Sequence, residues 1–168
     1  MQAAVHIRYG TPEVVRIIEV DKPMIGPTEV LVQVHATTVN RTDCAYRAAK
    51  PFFMRLFTGL IRPRATVLGN EFAGVVVEVG RSVTTFSVGE NVFGYNEGSF
   101  GAHAQYLAMP EDGSLTTMPA NLTYVEAAPA PRGLTMPSPR SGGPRSPEVR
   151  TSSSMGPRER SARQPSSC

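Results

Sequence analysis

Residues 68–95, LGNEFAGVVVEVGRSVTTFSVGENVFGY, decide the fold. The run from Phe72 to Val79 is rich in β-branched residues. Val75, Val77 and Val79 alternate with Val76 and Glu78, the period of two that a half-buried strand requires. Gly80 and Gly89 stand at either side of RSVTTFSV, where a turn needs positive φ or a close backbone approach. Gly74, inside the run, marks a bulge or a crowded crossing in a bent strand. NVFGY then reads as the next short strand.

The same grammar extends outward. AAVHIRY and VVRIIEV are strand-like runs broken by GTPE, and DKPMIGPTE is a loop. EVLVQVHATTV alternates strictly, with Val30, Val32 and Val34 on one face and Leu31, Gln33 and His35 on the other. NRTDCAYRAAK reads as a short helix capped by Asn40 or Thr42, with Asp43 favoured in its first turn by the helix dipole. PFFMRLFTGLI reads as a second short helix ending near Gly59. AHAQYLAM is a further strand, and GSLTTMPANL leads into TYVEAA, where Thr123 and Glu126 have capping-box spacing. Many short strands, tight turns and few helices imply a mainly β, antiparallel, barrel-like domain over residues 1–122. The start of a connecting helix is expected over 123–130.

At residue 131 the composition changes. Residues 131–168 contain seven Pro, nine Ser, seven Arg, four Gly and only two acids. Such a segment buries too little surface to offset its ordering entropy and is expected to be a disordered tail. It carries about +5 of a formal total of +3, so residues 1–130 carry about −2. The basic pI therefore belongs to the tail and gives the folded part no nucleic-acid or membrane preference. Cys44 and Cys168 make neither a disulfide framework nor a zinc cluster. No apolar run reaches membrane-span length and the N-terminus lacks a signal-peptide pattern, so a cytoplasmic location is expected.

The stretch 68–95 resembles the N-terminal catalytic domain of the medium-chain dehydrogenase/reductase superfamily. Its signature is G-x-E-x-x-G-x-V followed by V-G-x-x-V-x-x-F-x-x-G-[DE]-x-V. Gly69, Glu71, Gly74, Val76, Val79, Gly80, Val83, Phe86, Gly89, Glu90 and Val92 fit it. GAHAQYLAMPED and MPANLTYVEAA match the segments that follow, so the resemblance covers residues 1 to about 130. It implies a GroES-like β-barrel with a few short helices.

Zinc alcohol dehydrogenases of that superfamily hold a catalytic metal with a Cys ahead of a Thr-Asp element and a His in G-H-E. Here those positions are Asn40 and Asn70. Neutral amides are poor zinc ligands beside thiolate and imidazole, and Cys44 lies four residues past the ligand position, so no metal is expected. VNRTDCAYR instead resembles the zinc-independent branch of quinone oxidoreductases and enoyl reductases. That branch implies hydride transfer from NAD(P)H to a quinone, enone or carbonyl. By position, Asn40 and Asp43 would border nicotinamide and substrate. Two roles stand open for Tyr46: a phenol offered to a developing oxyanion, or helix packing. Asn40 can cap a helix as well, and Glu71 can be a structural acceptor inside the barrel. FFMRLFTGL either lines an apolar substrate entrance or packs Phe52, Leu56 and Leu60 on the barrel. His6, His35 and His103 show no triad or metal spacing and receive no chemistry.

Family members continue into a Rossmann domain, whose glycine-rich turn seats the cofactor pyrophosphate. No such turn occurs in this sequence, so the Rossmann domain is expected to be absent and the cofactor to bind poorly. A shift of reading frame near residue 130 would account for the tail. Residues 155–162, MGPRERSA, admit codons that read GATGAIG in the shifted frame, the superfamily's cofactor turn. The coding DNA tests this. The first function expected is therefore that of an NAD(P)H oxidoreductase fragment, inactive alone. The alternative is a non-enzymatic module whose basic tail binds an acidic partner or nucleic acid by counterion release. The tail has no aromatic residue for base stacking, which ranks it second.

Overall fold

The computed structural model describes residues 1–49, 59, 63, 66–96 and 100–132. Seven strands are present among them: β1 (Gln2–His6), β2 (Val15–Glu19), β3 (Glu29–Thr37), β4 (Glu71–Val79), β5 (Asn91–Tyr95), β6 (Tyr106–Pro110) and β7 (Leu115–Thr117). Two short helices accompany them, α1 (Arg41–Ala48) and α2 (Tyr124–Ala127). The fold is mainly β, as the alternating runs require. β7 falls within GSLTTMPANL, which carries no alternation long enough to announce a strand.

β6, β3, β4, β5 and β7 form one antiparallel sheet in that order, and β1 pairs with β2. Isolated bridges, Ala3 to Ala104 and Val5 to Val67, tie the hairpin to the rest. The hairpin connection holds a 3-10 turn at Pro12–Val14, overlapping the predicted break.

The alternation expected for β3 and β4 breaks at two register shifts. Val77 is an extra residue between the pairs Leu31–Glu78 and Val32–Val76. His35 is an extra residue between Val34–Gly74 and Ala36–Ala73. Each bulge reverses the parity of the strand and bends it. Val76 keeps the parity of Phe72 in the core, and Val79, beyond the bulge at Val77, packs against the same cluster. Gly74 lies beside the second bulge. A Cβ there would sit 2.0 Å from the Gln33 carbonyl oxygen, so only glycine permits this crossing.

The inner cluster joins Val30, Val32, Phe72, Val76, Phe86, Val92, Leu107, Met109 and Leu115. Fully burying each aliphatic side chain contributes roughly 1.5–3 kcal/mol. Neighbouring residues face the other way: Ala73 and Phe93 pack with Ala127 and Ala128 of the α2 region. The sheet is thus buried on both faces where α2 lies. Thr123 caps α2, with its hydroxyl and the Glu126 carboxylate reciprocally bonded, as the spacing predicts. His35, the bulge residue, stacks on Tyr124 at 4.6 Å and 11°. Ala130–Arg132 form a 3-10 turn. The expected tail from residue 133 onward, and the expected helix over PFFMRLFTGLI apart from Gly59, lie outside the described residues.

Candidate functional site

The site grows from the junction between β3 and α1. Asn40 is extended (φ −123°, ψ 176°), and its Oδ1 accepts from Thr42 N at 2.9 Å and Asp43 N at 3.3 Å. Asp43 Oδ2 accepts in return from Asn40 N at 2.9 Å, which completes a capping box. The other oxygen of Asp43 accepts from Gly69 N at 2.9 Å. Asp43 is 2% exposed, so this carboxylate, in addition to capping α1, pins the segment before β4 across the fold. Gly69 has φ 86°, and a Cβ on it would lie 2.6 Å from His103 N, so no side chain fits there.

That pinned segment delivers Asn70 to Asn40. Asn40 Nδ2 donates to Asn70 Oδ1 at 2.7 Å, and Asn70 Nδ2 donates to the Tyr95 hydroxyl at 3.1 Å. The β4–β5 register pairs Glu71 with Tyr95, which brings the phenol beside Asn70. Asn70 is buried, its carbonyl accepting from Asn96 N at 2.6 Å, and Tyr95 is half-buried.

Glu71 is buried one residue further. Its carboxylate accepts from the Thr38 hydroxyl, and its carbonyl accepts from Thr37 Oγ1 at 2.7 Å. This is the structural-acceptor role open to it in the sequence. His103 Nε2 donates to the Thr38 carbonyl at 2.9 Å and holds the same loop.

Tyr46 lies one helical turn beyond Asp43 on α1. Its ring meets His6 edge-on at 6.1 Å and Phe100 at 4.5 Å. The structure thus joins Asn40 and Asp43 through one capping box and places the Tyr46 ring in a separate aromatic cluster. His6 is fully buried and donates from Nδ1 to the Thr66 carbonyl at 3.0 Å, while Nε2 has no hydrogen-bond partner. Burial lowers its pKa below the usual histidine value. The Thr66 carbonyl opposes that shift and the nearby Arg47 charge adds to it.

A cleft of about 520 Å³ opens between the β1–β2 hairpin and the β3–α1 junction. Val34, Ala36, Val39, Asp43, Arg47 and His103 are among its lining residues, and Asp43 also bonds Asn40 N. Sequence reasoning foresaw neither the cleft nor the role of Tyr95. Only the β4–β5 register locates Tyr95, and a strand-terminal tyrosine carries no signal of its own. Among the described residues no three His, Cys, Asp or Glu side chains are grouped to hold a metal ion. No helix among them is long and apolar enough to cross a membrane.

A strongly bent antiparallel sheet with a capped helix between β3 and β4 defines the class. The chain belongs to the alcohol dehydrogenase GroES-like domain family, whose profile matches residues 26–120. Its relatives are members of the medium-chain dehydrogenase/reductase superfamily. It is 34% identical to a quinone oxidoreductase of Pseudomonas aeruginosa over 120 residues, covering 71% of this chain and 34% of that protein. It is 32% identical to a chloroplastic NADPH-dependent alkenal/one oxidoreductase of Arabidopsis thaliana, covering 80% of this chain and 35% of the other. The solved structure of a Coxiella burnetii quinone oxidoreductase superposes with a TM-score of 0.69 at 26% identity, over 78% of this chain and 41% of that one. The chain thus spans about a third of the length of the curated relatives it matches.

Proposed function

We propose that this domain is the substrate-facing part of a metal-independent oxidoreductase in which NAD(P)H delivers hydride to a quinone, enone or other carbonyl. The observation that carries the metal-independent reading is the Asn40–Asn70 hydrogen bond. Asn40 Oδ1 is committed to two backbone N–H groups, so its Nδ2 faces Asn70 as a donor without a lone pair for a cation. Asn70 Oδ1 is already an acceptor in that bond. The donor set therefore does not fit zinc. The chemistry that remains is hydrogen bonding to an oxygen acquiring negative charge. The named activities of the Pseudomonas and Arabidopsis relatives support the quinone and enone substrate class.

Asn40 would border substrate and nicotinamide. Asp43, buried with both oxygens bonded, would act by fixing Asn40 and Gly69. Tyr46, whose ring packs with His6 and Phe100, would serve in helix packing. The chain contains no glycine-rich dinucleotide turn, so alone it is expected to oxidise no NADPH in the presence of a quinone. Robust oxidation by the purified chain would overturn that part. To test the chemistry, residues 1–130 are grafted onto the cofactor domain of the Pseudomonas relative. Quinone-dependent NADPH oxidation that EDTA leaves unchanged is expected. A chimera that folds, binds NADPH and transfers no hydride, or one that needs zinc, refutes the reading.

A further inference from the structure

The polarity of the Asn40–Asn70–Tyr95 chain follows from the helix cap. Amide oxygen and nitrogen are interchangeable in shape, so their orientation must come from hydrogen-bond logic. Asn40 accepts from two backbone N–H groups at the start of α1, and only its oxygen can do so. Its nitrogen must then face Asn70 and donate. Asn70 must present its oxygen to that nitrogen at 2.7 Å, which leaves its own nitrogen facing Tyr95. The Tyr95 oxygen accepts at 3.1 Å. A phenol oxygen held as an acceptor directs its single proton elsewhere, and no acceptor for that proton occurs among the described residues. Tyr95 is half-buried and not enclosed in the core.

We propose that Tyr95 is a substrate-contacting residue whose hydroxyl donates a hydrogen bond to the carbonyl oxygen of the quinone or enone, with Asn40 and Asn70 as positioning residues that set its direction. This rests on the reductase reading for the identity of the ligand, and on the hydrogen-bond chain for the donor. The helix cap acts as the fixed end of a three-residue polarity relay. Its terminus offers a donor, so the site favours a carbonyl over the corresponding hydroxyl compound, substrate over reduced product.

The test uses the full chain, ¹⁵N-labelled, titrated with tetramethyl-1,4-benzoquinone, which is fully substituted and inert to thiol addition. No hydride donor is present, so the result is independent of turnover. Saturable shifts of the Asn40 side-chain amide and the Tyr95 backbone amide are expected. Tyr95→Phe should weaken binding at least tenfold with an otherwise unchanged amide fingerprint. Asn70→Asp is the sharper variant. A carboxylate accepts from both Asn40 and Tyr95, so the phenol turns its proton inward and presents only lone pairs. That variant should lose the quinone at least tenfold and bind tetramethylhydroquinone more tightly than the original chain does. No shifts up to the quinone's solubility limit, equal affinity in Tyr95→Phe, or an unchanged preference in Asn70→Asp each overturn the assignment. Those results leave the reductase reading standing, because only the chimera's NADPH oxidation decides it.

Discussion

Two capping boxes occur among the described residues, at Asn40–Asp43 and at Thr123–Glu126, with the same three-residue spacing. Both satisfy the first N–H groups of a helix. Asp43 is 2% exposed and also binds Gly69 from another segment, while Glu126 is exposed and bonds only within its own box. A local motif of fixed geometry thus acquires a long-range role only where the fold buries it. At α1 the spare oxygen of Asp43 and the spare nitrogen of Asn40 reach residues 26 and 30 positions away. At α2 both bonds to the Glu126 carboxylate come from Thr123 and fall on one oxygen.

Asp43→Ala should show the largest effect. It strands the N–H groups of Asn40 and Gly69, and at 1–3 kcal/mol per buried unsatisfied donor the loss should be about 4 kcal/mol in urea unfolding. A loss no greater than that of Thr123→Ala would break the comparison. Asn40→Ser comes next. Serine caps nearly as well as asparagine but is too short to bond Asn70. A loss of about 1–2 kcal/mol is expected with α1 intact by hydrogen exchange, and exchange that melts α1 would count against a separate relay. Thr123→Ala should cost about 1 kcal/mol, confined to faster amide exchange at Glu126 to Ala128.

The smallest effects are those of pH. His6, against the Tyr46 ring of α1, has a lowered pKa because burial disfavours its charged form. A second proton would fall on Nε2, which has no acceptor. Its contribution to stability is full above the unfolded value of about 6.5 and is lost as pH falls from there through the lowered folded value. Glu126 is lowered by the Thr123 backbone N–H first and by the Thr123 hydroxyl second. Its contribution is present above the unfolded value of 4.5 and is lost below it. Glu13 and Glu111 are lowered in the same direction by their hydrogen bonds, so melting temperatures between pH 7 and 3 should fall in two steps, the first abolished by His6→Gln and the second reduced by Glu126→Gln. A single step untouched by His6→Gln would remove the distinction.

The fold was largely legible because a strand's period and a turn's glycines are local. The positions of β1 to β5 follow from alternating runs, and both helix starts follow from cap spacing. β7 was not legible, since three residues carry no period. Gly74 marked a bulge or crowded crossing, and the bulge at His35 lies beside it; the bulge at Val77 escaped, because an extra residue shows itself only against a partner strand, and it turned Val79 toward the core against the simple alternation. Around α1, the cap residue Asn40 and the first-turn Asp43 were recognisable by position. Tyr95 was not, because its neighbour Asn70 reaches it through sheet register alone.

The sequence by itself determined which residues can cap, turn and alternate, and that amides stand where zinc-binding relatives have thiolate and imidazole. The tertiary structure alone decided that Asn40 donates to Asn70 and Asn70 to Tyr95. A hydrogen bond has a direction and a reach of about 3 Å. Neither exists until Asp43 and Gly69 have brought the two segments together.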